Sequence, residues 1–323
     1  MNRRDVLKLG VAFGGFTLGH AVLAQQYPQK PINLIVPFAP GGNLDTVARI
    51  IAPSLSRILG QPVMVQNRPG AGGVIGVAEV ARVDADGYTL LVSTPNAVSV
   101  VPQMVKANYR VDSFRSVGLV ATTSLALVVK ANDSRFKDAA SFLAYAKSNP
   151  KKVSVGYAGI GTTNHLALMQ LEEATHSAFT TVAYKGSAPA LTDLIGGQID
   201  AVVDQLTSSI SHVNSGGLRA LAVLSRERDP LLNATPTIRE AGVAEFEATT
   251  STGLLAPAKT PQAIIDILHS ALQKTLADAQ IKARLLGVGS VARPSAPQVF
   301  QQLLEVEDKR ARALAMAGKL KVD

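Results

Sequence analysis

The chain of 323 residues contains no cysteine and no tryptophan. The first absence excludes disulfides, thiolate metal sites and a cysteine nucleophile. Aromatic residues amount to 5%, so any core must be built mainly from Val, Leu, Ile and Ala. The five histidines form no HxxxH pair and have no acidic partner at ligand spacing, which argues against a metal centre. Neither a GxxxxGK[ST] phosphate loop nor a GxSxG nucleophile elbow occurs. The formal net charge is +8, yet its cations form no long run and are little interleaved with aromatics, a pattern that disfavours nucleic-acid binding. Beyond residue 24 no apolar stretch of about 20 residues recurs, so the remainder carries no membrane-span signal.

What is present begins with a leader. Residues 1–24 have a charged start, an apolar stretch over 6–23 and small residues before Gln25. They read as a cleaved export signal ending at Ala24, which places the mature protein in the periplasm. Arg3-Arg4-Asp5-Val6-Leu7-Lys8 resembles a twin-arginine signal, the alternative being an ordinary secretory signal with a chance arginine pair. The leader holds Arg3, Arg4 and Lys8 against Asp5, so +6 of the charge falls on the rest.

At 47% hydrophobic and 17% charged residues, the chain suffices for one large or two medium α/β domains. Residues 32–38 (INLIVPF) read as a buried strand. Leu44, Val47, Ala48, Ile51, Leu55, Ile58 and Leu59 then recur at helical spacing up to Gly60. A strand at 62–67, the Gly-rich RPGAGG, a helix at 74–83 and a strand at 88–93 complete a β-α-β-α-β unit, which implies a parallel sheet. The pattern restarts with strands at 153–158, 179–184, 199–204 and 218–224, and helices after Gly161 and over 187–195. Two similar halves follow from this. Residues 125–129 and 253–255 are apolar pieces expected at the crossings between them. From about Pro257 the chain becomes mostly helical.

Each half opens with a strand running into a Gly-bearing turn and a helix. In the first, VPFAPGGNLD, Gly41 and Gly42 let a ligand approach unpaired helix N–H groups. Such a helix start suits a small anion. No lysine and hydroxyl follow as in a phosphate loop, so a carboxylate fits better than a nucleotide phosphate. Asp45 either caps this helix or reaches a ligand amine. In the second, GYAGIGTTNH, glycines are joined by Thr162, Thr163 and His165. Both turns lie at the carboxyl ends of strands, where open α/β sheets bind ligands. Gly70 to Gly76 lack the GxGxxG spacing of a dinucleotide site. Ser187, His165 and Asp204 could be imagined as a triad, but their order fits no common hydrolase. Asp204, at a strand end, either touches ligand or organises the neighbouring turn or hinge.

PINLIVPFAPGGNLDTVAR, NRPGAGGVIG, DGYTLL, GIGTTNHL, YKGSAPALTDLIGGQIDAVVD, LRALAV with TPTIREAG, and GLLAPAKTP occur in this order. Together they resemble the Bug family, extracytoplasmic solute receptors of the tripartite tricarboxylate transporter systems, over nearly the whole mature chain. The resemblance implies a type II periplasmic-binding-protein fold, two doubly wound α/β lobes joined by crossing strands. It implies lobe 1 at 25–126 and 247–323, lobe 2 at 127–246, and a small organic acid bound between them without catalysis or cofactor. Carried over motif by motif, first-lobe contacts fall on Phe38, Ala39, Pro40, Gly41, Gly42 and Asp45. Second-lobe contacts fall on Gly161, Thr162, Thr163 and His165, with Lys185, Gly186, Ser187 and Asp204 nearby. Thr94 and Asn96 are further candidates for the cleft wall. Tyr157 stands where the family often has Ser, and TTSTGLLAP lacks an aromatic residue that members often carry. The expected partners are membrane transporter subunits or a sensor protein, and the expected state is a monomer. An exported enzyme acting on a small acid is the alternative class.

Overall fold

Strand β1 (Ile32–Val36) buries side chains on both faces, with Ile32, Leu34 and Val36 in one apolar cluster and Ile35 in another. Such a strand needs helices on either side. The computed structural model, which describes residues 27–320, supplies them. The leader read at 1–24 lies outside the described residues.

From β1 the chain runs through α1 (Asn43–Leu59), β2 (Val63–Asn67), α2 (Val74–Val80), β3 (Thr89–Ser93), α3 (Pro95–Ser99) and α4 (Val101–Met104) into β4 (Phe114–Lys130). Next come α5 (Ala139–Ser148), β5 (Ser154–Tyr157), α6 (Thr163–Thr175), β6 (Thr180–Ala183), α7 (Ser187–Gly196), β7 (Ala201–Gln205), α8 (Leu206–Asn214) and β8 (Leu218–Val223). The chain ends with β9 (Thr249–Pro257), α9 (Gln262–Ala277), α10 (Ala279–Leu286), β10 (Ser290–Ala292) and α11 (Pro297–Met316).

Two sheets result, and β4 belongs to both. Along 114–124 it pairs with β9, and along 125–130 with β7 and β8. The first sheet sets β2, β1 and β3 parallel, followed by β9, β4 and β10. Helices α1, α9 and α10 cover one of its faces, and α2, α3 and α11 the other. The second sheet sets β6, β5 and β7 parallel beside β4. Leu125, Leu127 and Val129 of β4 face the α5 and α6 side, and Ala126 and Val128 face α7 and α8. Both lobes are therefore doubly wound.

The parallel arrangement expected of the first β-α-β-α-β unit holds for β1, β2 and β3. The sheets as a whole are mixed, because each crossing strand enters antiparallel: β4 against β7, and β9 against β3. One expectation is corrected. Residues 253–255, expected at a crossing, pair with β3 and β4 deep in the first sheet. The return crossing lies just ahead of them. There the Ala248 N–H still bonds the Leu224 carbonyl of the second lobe, and Thr249 begins to pair with Ser124. Among the described residues no helix is long and apolar enough to cross a membrane.

Candidate functional site

The β1–α1 turn is held in shape by Asp45. Its carboxylate accepts from the Gly41 N–H at 2.9 Å, from Asn67 Nδ2 at 2.9 Å and from Arg49 Nε at 3.0 Å. Gly41 sits at φ +83°, a region glycine enters freely. Burial pushes the Asp45 carboxyl up, but the bonds from Arg49, the Gly41 N–H and Asn67 outweigh it and hold it below 3.8. Asn67 also donates to the Phe38 carbonyl at 3.0 Å, which ties the turn to β2.

This turn faces two helix starts of the second lobe. The N-cap residues of α1 and α7, Gly42 and Gly186, offer no side-chain cap, so the first N–H groups of those helices are left for a ligand or water. Thr162 caps α6, with its hydroxyl 3.4 Å from the His165 N–H. All three starts line one pocket, which is partly open to solvent. Phe38, Leu44 and Ala158 supply its apolar wall, and no Lys or Arg is among the lining residues. An anion here would be held by backbone dipoles and hydroxyls, with the helix ends supplying the positive potential.

Eight of the residues singled out from the sequence line this pocket: Phe38, Gly42, Asp45, Thr94, Thr162, Thr163, Gly186 and Ser187. The others fall around it. Pro40 and Gly41 are exposed at the lip, and Ala39 donates its N–H to the Lys185 carbonyl at 3.1 Å across the cleft. The Lys185 residue itself is exposed. Gly161 packs against Val101 of the opposite lobe, where an added Cβ would lie 2.8 Å from Val101 Cγ2. His165 and Asn96 line a second, larger groove that adjoins the pocket at Thr163.

Asp204 is wholly buried at the end of β7, behind the pocket wall. Its Oδ2 accepts from Ser208 Oγ at 2.7 Å, and its Oδ1 has no partner among the described residues. Burial pushes this carboxyl up to about 6, against the smaller opposing effect of the Ser187, Ser208 and Ser209 hydroxyls and the Gln205 N–H. His165 moves the other way for the same reason, burial lowering it to about 4.

The sequence reading missed the polar strip beneath the site. Asn43 accepts from Thr123 at 3.2 Å and Thr207 at 2.7 Å and donates to Thr252 at 3.2 Å, so it joins α1, both crossing strands and α8. Thr123 is also bonded to Ser290. Asn164 donates to Gln205 Oε1 at 3.0 Å and accepts from Gln205 Nε2 at 2.8 Å. Gln205 in turn reaches Thr250 at 3.4 Å and Ser187 at 3.3 Å. Asn43, Asn164 and Gln205 all line the pocket. The available signal was an asparagine in the first turn of each opening helix, Asn43 and Asn164.

Against known proteins, residues 47–320 match the family described as "Tripartite tricarboxylate transporter family receptor". The chain belongs to this receptor family. Protein BugT of Bordetella pertussis is 37% identical to this receptor over 271 residues, covering 83% of each chain. A solved structure described as R. palustris Rpa4515 with adipate is 32% identical, with TM-score 0.87, covering 92% of this receptor and 100% of that chain. MatC from Rhodopseudomonas palustris with bound malate is also 32% identical, with TM-score 0.84, covering 90% and 100%. The two-lobed fold is thus that of the solute receptors. The likeness is to receptors, not enzymes, so the Ser187, His165 and Asp204 grouping is no catalytic triad.

Proposed function

We propose that this receptor is an exported protein, its leader ending near Ala24, that closes on a small carboxylate-bearing metabolite. The lobes spanning 25–126 with 247–323, and 127–246, rotate together about the strip of Asn43, Thr123, Thr252 and Gln205. The closed form is then read by membrane transporter subunits, with the receptor acting as a monomer. One observation carries this reading: three helix N-termini from two lobes converge on a pocket lined by no cationic side chain. The ligands in the MatC and Rpa4515 structures, malate and adipate, are both carboxylates.

The test is a thermal melt of residues 25–323, unfolded and refolded to strip bound ligand, against mono-, di- and tricarboxylates and amino acids. A ligand at a hundred times its dissociation constant adds about 2.7 kcal/mol. That is a shift of several degrees for a chain of this size. A shift confined to acids supports the reading, and a shift with neutral or cationic solutes alone removes it.

Closure also gives Gly72 of the NRPGAGG stretch a purpose. At φ +64°, it lies so near the second lobe that an added Cβ would sit 2.7 Å from the Ile160 carbonyl oxygen. That clash exists only while the lips of the cleft meet. Gly72→Ala is expected to weaken binding about tenfold while costing the unliganded protein about 1 kcal/mol for the left-handed residue. Titration calorimetry beside a ligand-free melt separates the two, and an unchanged affinity would show that Gly72 does not limit closure.

A further inference from the structure

Beyond the pocket runs a larger groove, and the two share Thr163. The groove lies between α6 of the second lobe and α11 of the first, with Leu166, Met169, Ala248 and Leu314 among its apolar walls. At its inner end stand Tyr157 and His165, their rings stacked with centroids 4.5 Å apart and planes 11° from parallel. Both are more than nine-tenths buried, at 5% and 8% exposure. His165 Nδ1 accepts from the Gly161 N–H at 3.1 Å, so the ring hydrogen resides on Nε2.

Neither that Nε2–H nor the Tyr157 hydroxyl has a protein partner among the described residues. Neither atom is sealed inside protein: both rings line the groove, so these two donors are free to bond a ligand that enters it. Burial keeps the imidazole neutral, lowering it to about 4, and raises the Tyr157 phenol. The platform therefore offers two uncharged donors. The groove walls carry Glu172, Glu173, Glu247 and Glu307 against Arg310 and Lys319, an excess of negative charge that disfavours a second carboxylate.

The geometry points to Tyr157 and His165 as a second ligand subsite, one that receives the far end of the bound acid through an uncharged oxygen acceptor. The preferred ligand is then a monocarboxylate with an apolar tail ending in a carbonyl, ester, ether or hydroxyl oxygen, rather than a diacid. This deepens the proposed function and rests on the carboxylate seat at Gly42 and Ser187.

The experiment is titration calorimetry of the refolded protein with the linear diacids from succinate to suberate, their monomethyl esters, and the matching unsubstituted monoacids. The best ester is expected to bind about tenfold more tightly than its diacid and than its monoacid. Tyr157→Phe, which keeps the ring and the stack, should lower ester affinity about tenfold and leave the monoacid unchanged. His165→Asn, whose amide oxygen can still accept from Gly161, should likewise lower ester affinity. A diacid binding at least as well as its ester overturns the subsite, as does ester binding indifferent to Tyr157→Phe. Failure of all three series to bind instead removes the carboxylate seat itself, and the subsite with it.

Discussion

Gly42→Phe is expected to lower affinity for any bound acid at least a hundredfold and to leave the unliganded fold intact. The backbone at Gly42 has φ −81° and ψ 176°, which any residue adopts without strain, so the glycine is not there for its torsion angles. It is there for space. An added Cβ would meet Ala39 O at 3.7 Å and Ser187 N at 3.9 Å, ordinary contacts that leave room for a methyl group and little more. A phenyl ring built on that Cβ must enter the gap between the α1 and α7 helix starts, where the carboxylate is proposed to sit. It would displace the ligand and hold the lips apart together, and each decade of affinity lost is about 1.4 kcal/mol. Gly42→Ala is the internal control, with affinity within about threefold of wild type. Melts without ligand should agree across the three proteins within the range of surface substitutions, about 0.5 kcal/mol. Calorimetry showing Gly42→Phe bound as tightly as wild type would take this turn out of the site.

How much of this could be read from the sequence depends on the range of the interactions involved. Local signals worked. The apolar run at 32–36 and its switch to a helical period after Gly42 located β1, α1 and the turn between them, because both periodicities act over a few residues. The turn at 159–163 was legible for the same reason. The antiparallel entry of β4 and β9 was not, since nothing local records which strand the chain meets after crossing between lobes. The polar strip was harder still. Asn43 bonds Thr252 at a separation of 209 residues and Thr207 at 164, so its partners exist only once the topology is known. Four helices also escaped notice, the short α3 and α4 along with α5 and α8. In α8 the Ser-rich LTSSISHVN has weak helix propensity and follows β7 without a glycine or proline break. Helix α5 did carry a start signal, a capping box in which Asp138 accepts from the Ser141 N–H at 2.7 Å and the Ser141 hydroxyl accepts from the Asp138 N–H at 3.1 Å.

Asp204 and His165 should give this receptor a stability that barely changes between pH 4 and 6, and removing either should uncover the other. Asp204 is raised from 3.8 to about 6, so folding favours its protonated form. Its contribution is complete below pH 3.8 and is lost as pH rises through 6, for a total of ~3 kcal/mol. His165 is lowered from 6.5 to about 4, so folding favours its neutral form. That contribution is complete above pH 6.5 and is lost as pH falls through 4, again ~3 kcal/mol. Over the shared window one declines while the other grows. Asp204→Asn keeps an acceptor for Ser208, and the surrounding serine hydroxyls can accept from the new amide. At pH 8, where wild type carries the full penalty of a buried carboxylate, this variant should melt about 6 °C higher, and its stability should climb steadily from pH 4 to 6.5. His165→Asn should slope the opposite way, losing stability as pH rises from 4 to 6. Melting curves from pH 4 to 8 for the three proteins decide the matter. An Asp204→Asn profile that overlays wild type would mean that the carboxyl finds solvent or a cation in solution, and the buried orphan at Oδ1 would need another explanation.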